Sequence, residues 1–534
     1  MKTAFASAAT AVISAALWAS SAPDPQHAAL INSYAMHIDL DRGAPGLSRW
    51  LAAIRTRASI LMITAHPDDE DGGLLAYQTR GLGARGALMS LNRGEGGQNA
   101  MSMDLYDALG LVRTQELLQS DRFYGVDQYW GREIDYGFSK TREEALQQWG
   151  YDRVLSDVVR VVRMTRPLVV TSVFAGAPTD GHGNHQVAGQ MAQEAFVAAG
   201  DPNRFPEQIR EGLQPWQPLK VYCRVPFFEP TKDHTIYDYA TDKYVPIRFF
   251  DYIRKKWSTE APSANYGVAE GTQYPAAGLT FLQIGREGWG YQKSQNGGGT
   301  IPQPSLNTIS YHRYGSQVSA PEKENSIYDG IDVSLMGIAT LATGDTVFLK
   351  DGLERISKIA DDAYSRYRPD APADIAPALA DGLKAVRMLR DQVRKSSLSE
   401  PGKTNVAFEL QQKEDQFQKA LTLALGVSFD AAVAPEKEPS GPFARFAGAA
   451  STSSTAIPGQ SFAVQTHLVN EGRDALNIES IEVSASDGKS WQIRPEGAPV
   501  PTLSARDEMR RKFSIKAPED ATLTKPYFSR PDQE

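Results

Sequence analysis

Cysteine is almost missing from this chain: Cys223 is the single one among 534 residues. An internal disulfide is therefore excluded, and so is a zinc site built on thiolates. Any metal has to be held by histidine and carboxylate. Histidine is also scarce, 8 in all, so its positions carry information. Concentrated basic charge is lacking too. Lys+Arg 56 stand against Asp+Glu 64, a net charge of -8, and no Lys/Arg block stands out. That excludes the electrostatic footprint of a nucleic-acid or anionic-membrane binder. Beyond the N-terminus no apolar run is long enough to cross a bilayer.

The N-terminus has the layout of an export signal. Lys2 precedes a small, apolar stretch from Ala4 to Ser20, and Ser20-Ser21-Ala22 offers cleavage positions before Pro23. The stretch is short and Ala-rich, so no transmembrane anchor is expected in the mature chain. Export without disulfides suits a bacterial periplasm or the space outside the cell. With 41% hydrophobic and 22% charged residues the chain is globular, and its length calls for more than one core.

The expected division is a signal peptide at 1–22, an extension at 23–57, a main domain at 58–345, a helical module at 346–433, a linker at 434–446 and a β module at 447–534. Up to about residue 225 the main domain alternates strand-like runs (60–65, 86–91, 168–174, 219–225) with helical ones (74–82, 109–123, 151–163, 185–199). This α/β alternation predicts a Rossmann-like, mostly parallel sheet with helices on its faces. From 226 to 340 the text is rich in Tyr, Trp, Gly and Pro and lacks periodicity, so long loops are expected, Gly285 to Gly299 among them. Three stripes at helical spacing follow, for example Leu353, Ile356, Ala360 and Ala363. The runs at 462–464, 481–483 and 513–515 predict a small β-sandwich-like module, short of the roughly seven strands of a complete one.

Chemistry concentrates at two strand ends. The run Ile60-Leu61-Met62-Ile63-Thr64-Ala65 stops at His66-Pro67-Asp68-Asp69-Glu70. The strand at 168–174 is followed by Asp180-Gly181-His182-Gly183-Asn184-His185, and helical spacing puts His185 on the inward side of a helix start. In a parallel sheet both clusters open on one edge, where ligands bind. His66, Asp69 and His185 can then converge as two imidazoles and a carboxylate, a hydrolytic zinc set with an open position. Asp68 would be free to act as general base, and His182 to donate a hydrogen bond to an oxyanion. The plainer readings are a turn at His-Pro, helix caps at Asp68 or Asp69, and solvated histidines at 182 and 185.

These two motifs resemble the PIG-L/LmbE-like family of zinc-dependent N-deacetylases. Leu91-Asn92-Arg93-Gly94-Glu95-Gly96-Gly97-Gln98 is similar to that family's glycine-rich loop, and Arg113-Thr114-Gln115-Glu116 to its Arg-x-x-Glu helix. The resemblance covers about residues 55 to 300. It implies one zinc per chain with His66, Asp69 and His185 as ligands, other divalent metals being possible. It also implies Asp68 as base and His182 as partner of the tetrahedral intermediate. Arg93 and Glu95 are expected to meet substrate. Arg113 and Glu116 are expected to pair with each other at i, i+3. Asn184 departs from the Asp found in many members; its oxygen can still orient a ligand histidine, without charge.

The expected substrate is an N-acetylated amino sugar in a glycan, glycolipid or glycoconjugate, since an export signal is not needed by the family's cytoplasmic members. The C-terminal module would suit a cell-surface glycan. Three alternatives stay open: an amidase for a larger acyl group, a non-catalytic carbohydrate binder, and a metallophosphoesterase. Whether Asp68 or His182 protonates the departing amine is left open as well.

Overall fold

The computed structural model of the protein describes residues 39–226, 231–296, 300–435, 455–498 and 501–524. The expected signal peptide, most of the linker and Gly297-Gly298-Gly299 lie outside the described residues. The chain divides into two compact units, Leu40–Ala424 and Leu425–Pro526.

In the first unit the order is α1 (Gly43–Ala53), β1 (Ser59–Thr64), α2 (Gly72–Ala76), β2 (Arg85–Ser90), α3 (Asp107–Tyr124) and β3 (Val126–Trp130). Then come α4 (Arg142–Trp149), α5 (Tyr151–Thr165), β4 (Val169–Ser172), α6 (Gly183–Ala198) and β5 (Lys220–Arg224). After these follow β6 (Tyr266–Val268), α7 (Phe281–Trp289), α8 (Lys293–Asn296) and β7 (Ile309–Ser316). One seven-stranded sheet gathers the strands in the order β6-β7-β5-β4-β1-β2-β3. The five strands from β5 to β3 are parallel, while β7 and β6 are antiparallel additions at one edge.

The centre of the sheet follows from the apolar run. Ile60, Leu61, Met62 and Ile63 are each no more than 1% exposed. A strand covered on both faces has to be apolar at every position, not at alternate ones. Each such side chain stabilises the fold by about 1.5–3 kcal/mol. Helix α5 turns Val154, Val158, Val161 and Val162 to this core, and α6 packs across β1, β4 and β5. Helix α3 stops at Gly125, whose φ of 71° is the left-handed cap conformation.

The structure departs from the sequence reading between 226 and 340. This region adds two strands to the seven-stranded sheet and six short ones paired in three two-stranded sheets, and residues 281–289, expected as loop, form α7. Its start is capped by Thr280, which accepts from the Gln283 amide at 3.2 Å while the Gln283 side chain accepts from the Thr280 amide at 3.0 Å. Aromatics and glycines masked that box. Strand β3 is short and half exposed, so no apolar run marks it in the sequence.

Three long helices complete the unit: α9 (Val347–Arg366), α10 (Ala376–Lys395) and α11 (Gly402–Leu425). They bury the stripes read from their spacing, including Leu353, Ile356, Leu379, Val386 and Phe417. In the second unit β8 (Val427–Val433), β9 (Ser461–Asn470), β10 (Gln492–Pro495) and β11 (Asp507–Lys516) form an antiparallel sheet in the order β8-β9-β11-β10. A two-stranded pair, Leu476–Asn477 with Thr502–Leu503, accompanies it.

Candidate metal and catalytic site

From β1 the chain proceeds to β2 and β3 on one side, and β4 and β5 lie on the other. Between β1 and β4 the order reverses, so their C-terminal ends leave a crevice. Both histidine motifs emerge there.

In the first motif Asp69 closes a turn on its own backbone. Its Oδ2 accepts the amides of Ala65 at 3.1 Å and His66 at 2.7 Å. The same oxygen lies 3.3 Å from His66 Nδ1, and Oδ1 lies 3.3 Å from His185 Nε2. Burial opposes the charge on Asp69, but His185 and His66 win and hold its carboxyl well below the usual range. For metal bonds of about 2.0–2.1 Å, two corners of a tetrahedron lie about 3.3–3.4 Å apart. The His66 and His185 nitrogens each stand at such a separation from Asp69, though from different oxygens of it. Ring nitrogens of His66, His182 and His185 also lie within 4.8 Å of one another. Those three histidines could hold a metal ion, and Asp69 lies against two of them.

His185 is aimed by its other nitrogen. Nδ1 is 2.8 Å from the Asp180 carbonyl, which only accepts, so Nδ1 carries a proton and Nε2 is the nitrogen turned inward to Asp69. Phe174 stacks on the ring, 4.2 Å between centroids. The loop itself is tied by the Asp180 carboxylate, which accepts the amides of Ala175 (3.1 Å), Gly176 (2.7 Å) and Ala177 (2.9 Å).

His182 precedes the first turn of α6. Its ring stacks on Phe138 and lies 4.1 Å from that of His185. Its Nδ1 is buried and makes no hydrogen bond among the described residues. Burial, helped by His185 and His66, pushes His182 down to about 2, so the ring is neutral. Asn184 is fully buried, and its amide group lies 3.3 Å from His66 Nε2. It is the amide nitrogen that faces the ring, and Asn184 Oδ1 has no partner among the described residues. With an ion on His66 Nδ1, Nε2 would carry the proton and the amide turned to offer its oxygen would accept it.

Asp68 lies beside the donors with 29% of its side chain accessible. Burial raises its carboxyl to about 6; Arg113 opposes the shift and Asp69 adds to it. Its φ is 103°, a left-handed conformation that costs a non-glycine residue about 1–3 kcal/mol. Arg113 donates to Asp68 Oδ1 at 2.9 Å, to the Gly94 carbonyl at 3.1 Å and, over a shorter contact, to the Pro67 carbonyl. The expected Arg113–Glu116 pair is therefore corrected. Arg113 turns inward to Asp68, and Glu116 accepts from the Ser294 amide at 2.8 Å and from its hydroxyl. Two unlike demands, a carboxylate and two carbonyls, draw the buried guanidinium away from its helix neighbour.

The other expected residues have different surroundings. Arg93 packs its guanidinium over Trp130, 5.2 Å from the ring centroid, and lies 3.4 Å from the Thr114 hydroxyl. Glu95 is 9% exposed, and its Oε2 accepts the amides of Arg93 at 3.1 Å and Asp135 at 3.2 Å. Those bonds shape the glycine-rich loop. Trp289 and Gln292, which no motif marked, also reach the first motif. The Trp289 indole donates to the Asp68 carbonyl at 3.1 Å, and the Gln292 amide donates to Glu70.

Residues 61–196 match the PIG-L family model, GlcNAc-PI de-N-acetylase. Comparison with curated proteins gives no match. Among solved structures the chain is similar to an N,N'-diacetylchitobiose deacetylase from Pyrococcus horikoshii, at 21% identity and a TM-score of 0.27. The match covers 33% of this chain and 65% of that one, so just under two thirds of its length is spanned. It is also similar to a 4-carboxy-2-hydroxymuconate hydratase from Pseudomonas putida, at 14% identity and a TM-score of 0.29, covering 49% of this chain and 99% of that one.

Proposed function

We propose that this chain, which carries a PIG-L domain over residues 61–196, is a metal-dependent hydrolase that removes acetyl from an N-acetylated amino sugar. The observation that carries this reading is the placement of Asp69 at 3.3 Å from both His66 Nδ1 and His185 Nε2, with Asp68 alongside. His66, Asp69 and His185 would hold the ion, and zinc suits a donor set of two imidazoles and one carboxylate. Bound there, it would supply a Lewis acid that polarises the amide carbonyl and makes water a stronger acid.

The chain's own groups do the rest. Asp68 takes a proton from water as its oxygen bonds to the acetyl carbon. Arg113 keeps the carboxylate oriented for that transfer. Negative charge collects on the former carbonyl oxygen, and the neutral His182 ring donates a hydrogen bond to it. When the C–N bond breaks, Asp68 returns its proton to the nitrogen. Acetate and a free amino sugar are the products.

The test is acetate release from a panel of N-acetylated sugars and oligosaccharides, with and without chelator, alongside metal analysis. We expect release that stops on chelation and returns with added zinc, at about one metal per chain. No acetate from any member by metal-loaded protein would overturn the reading. Faster cleavage of longer acyl groups would move it to a broader amidase. We also propose export to the periplasm or beyond, supported by the pattern at residues 2–23. N-terminal sequencing of protein from that compartment should begin after residue 22.

A further inference from the structure

Asp68 has a backbone conformation that its own sequence does not favour. Two of the groups that hold it there sit in a segment beyond the PIG-L match. The Asp68 amide donates to Glu70 Oε2 at 3.0 Å. Glu70 is in turn fixed by the Tyr124 hydroxyl at 2.8 Å and by the Gln292 amide. The Asp68 carbonyl accepts the Trp289 indole at 3.1 Å. Trp289 ends α7, and Gln292 lies in the turn into α8.

That segment is seated without slack. A Cβ at Gly285 would lie 2.5 Å from the Gly73 backbone nitrogen, and one at Gly288 would lie 2.6 Å from the Tyr124 ring. The Ser120 hydroxyl donates to the Gly288 carbonyl at 2.8 Å, and the Ala100 amide donates to the Ser294 carbonyl at 2.6 Å. Helix α7 is thus pressed onto α2 and α3, and its last turn delivers an indole N–H to a carbonyl that the left-handed φ has turned toward it.

Resting on the function proposed above, we propose that residues 281–296 clamp the general base, with Trp289 and Gln292 as positioning residues that hold Asp68 in its left-handed conformation. Hydrogen bonds of about 1 kcal/mol each at Asp68 and Glu70 offset a backbone cost of similar size. The clamp acts on the base alone. The amides that fix Asp69 belong to residues 65 and 66, so metal binding does not depend on it.

The test uses the full-length, metal-loaded protein. Trp289→Phe keeps a ring beside Arg286 and removes the N–H. We expect kcat to fall about tenfold, the loss that one misplaced hydrogen bond produces. KM should stay within about twofold, with metal content near one and faster hydrogen exchange at the Asp68 amide. Gln292→Leu, which reaches the loop through Glu70, should act in the same direction and serves if the first variant fails to fold. Unchanged exchange in both variants overturns the clamp whatever the activity. A parallel fall of kcat, metal content and melting temperature also overturns it, because that is general unfolding. If wild-type protein releases no acetate but exchange still quickens in the variants, the clamp stands and the deacetylase reading falls.

Discussion

The proposed metal donors and the proposed general base sit side by side, yet they are held in opposite ways. Asp69 and His185 are fixed by partners within five residues of themselves: the Ala65 and His66 amides for one, the Asp180 carbonyl for the other. Asp68 is fixed by Arg113, 45 positions away, by Trp289, 221 positions away, and through its one local partner, Glu70, by Tyr124 and Gln292, which are 54 and 222 positions from that residue. Local holding makes ligand geometry a property of two short loops. Remote holding makes base geometry a property of the assembled domain. Loss of a remote partner should therefore lower turnover with metal still bound, and loss of a local partner should lower stability and metal binding together.

The largest expected effect falls on the base itself. Asp68→Ala should cut turnover by about 10³-fold or more, within reach of the general-base contribution combined with the loss of proton return. Metal content should stay near one. A variant that loses its metal would make Asp68 a ligand and erase the distinction between the two kinds of holding. Next comes a break in the local frame. Asp180→Ala leaves the amides of Ala175, Gly176 and Ala177 without their acceptor in a buried loop. We expect a loss of about 3 kcal/mol or more in denaturant unfolding, at 1–3 kcal/mol for each unpaired group. Metal affinity should drop with it, as the carbonyl behind His185 shifts. Unchanged stability would show that water replaces the carboxylate and that the loop is not self-held.

The same contrast governs what could be read from sequence. Local devices leave local marks. The apolar run 60–65 announces a central strand, and the spacing of Ala188, Met191, Ala192 and Ala195 shows the inward side of α6, all four fully buried. Neighbouring strand ends then suffice to bring His66, Asp69 and His185 to one crevice. Remote devices leave none. Arg113 and Glu116 look like a helix-surface ion pair until the fold buries the guanidinium against the Pro67 carbonyl. Trp289 sits in a stretch whose glycines suggest loop, although Gly285 and Gly288 are there to let a helix approach α2 and α3 closely. Strand β6, an edge strand of three residues, Tyr266–Val268, carries too little pattern to register, and β7 mixes Tyr, His, Arg and Gly around a bulge between Arg313 and Gly315, so it shows no clean alternation. Glu95 looked available to a sugar, but which backbone amides a carboxylate accepts is decided only by loop closure.

A smaller effect tests remote holding directly. Arg113→Lys keeps the positive charge beside Asp68 and removes the fork that spans a carboxylate and two carbonyls. Turnover should fall about tenfold with metal content unchanged. Restoration by added guanidinium would show that geometry rather than charge was lost. An unaffected kcat would mean that a point charge is enough and that the base needs little orientation.

The smallest effect sits where the two loops touch. Asn184, from the second motif, faces His66 Nε2 of the first at 3.3 Å. With an ion on His66 Nδ1, the amide turned to offer its oxygen would accept the imidazole proton without adding charge. Asn184→Asp would add it, making His66 a stronger donor to a bound cation. At a fully buried position that carboxylate is costly in metal-free protein and is compensated once a cation is present. The variant should therefore bind zinc a few-fold to tenfold more tightly in a chelator competition, while its metal-free form melts at a lower temperature. Asn184→Leu should weaken binding, because the His66 proton then has no acceptor. Equal affinity in all three proteins would show that the amide adds nothing to the hold on His66, leaving the Asp69–His185 contact and the packed histidine rings to join the two loops.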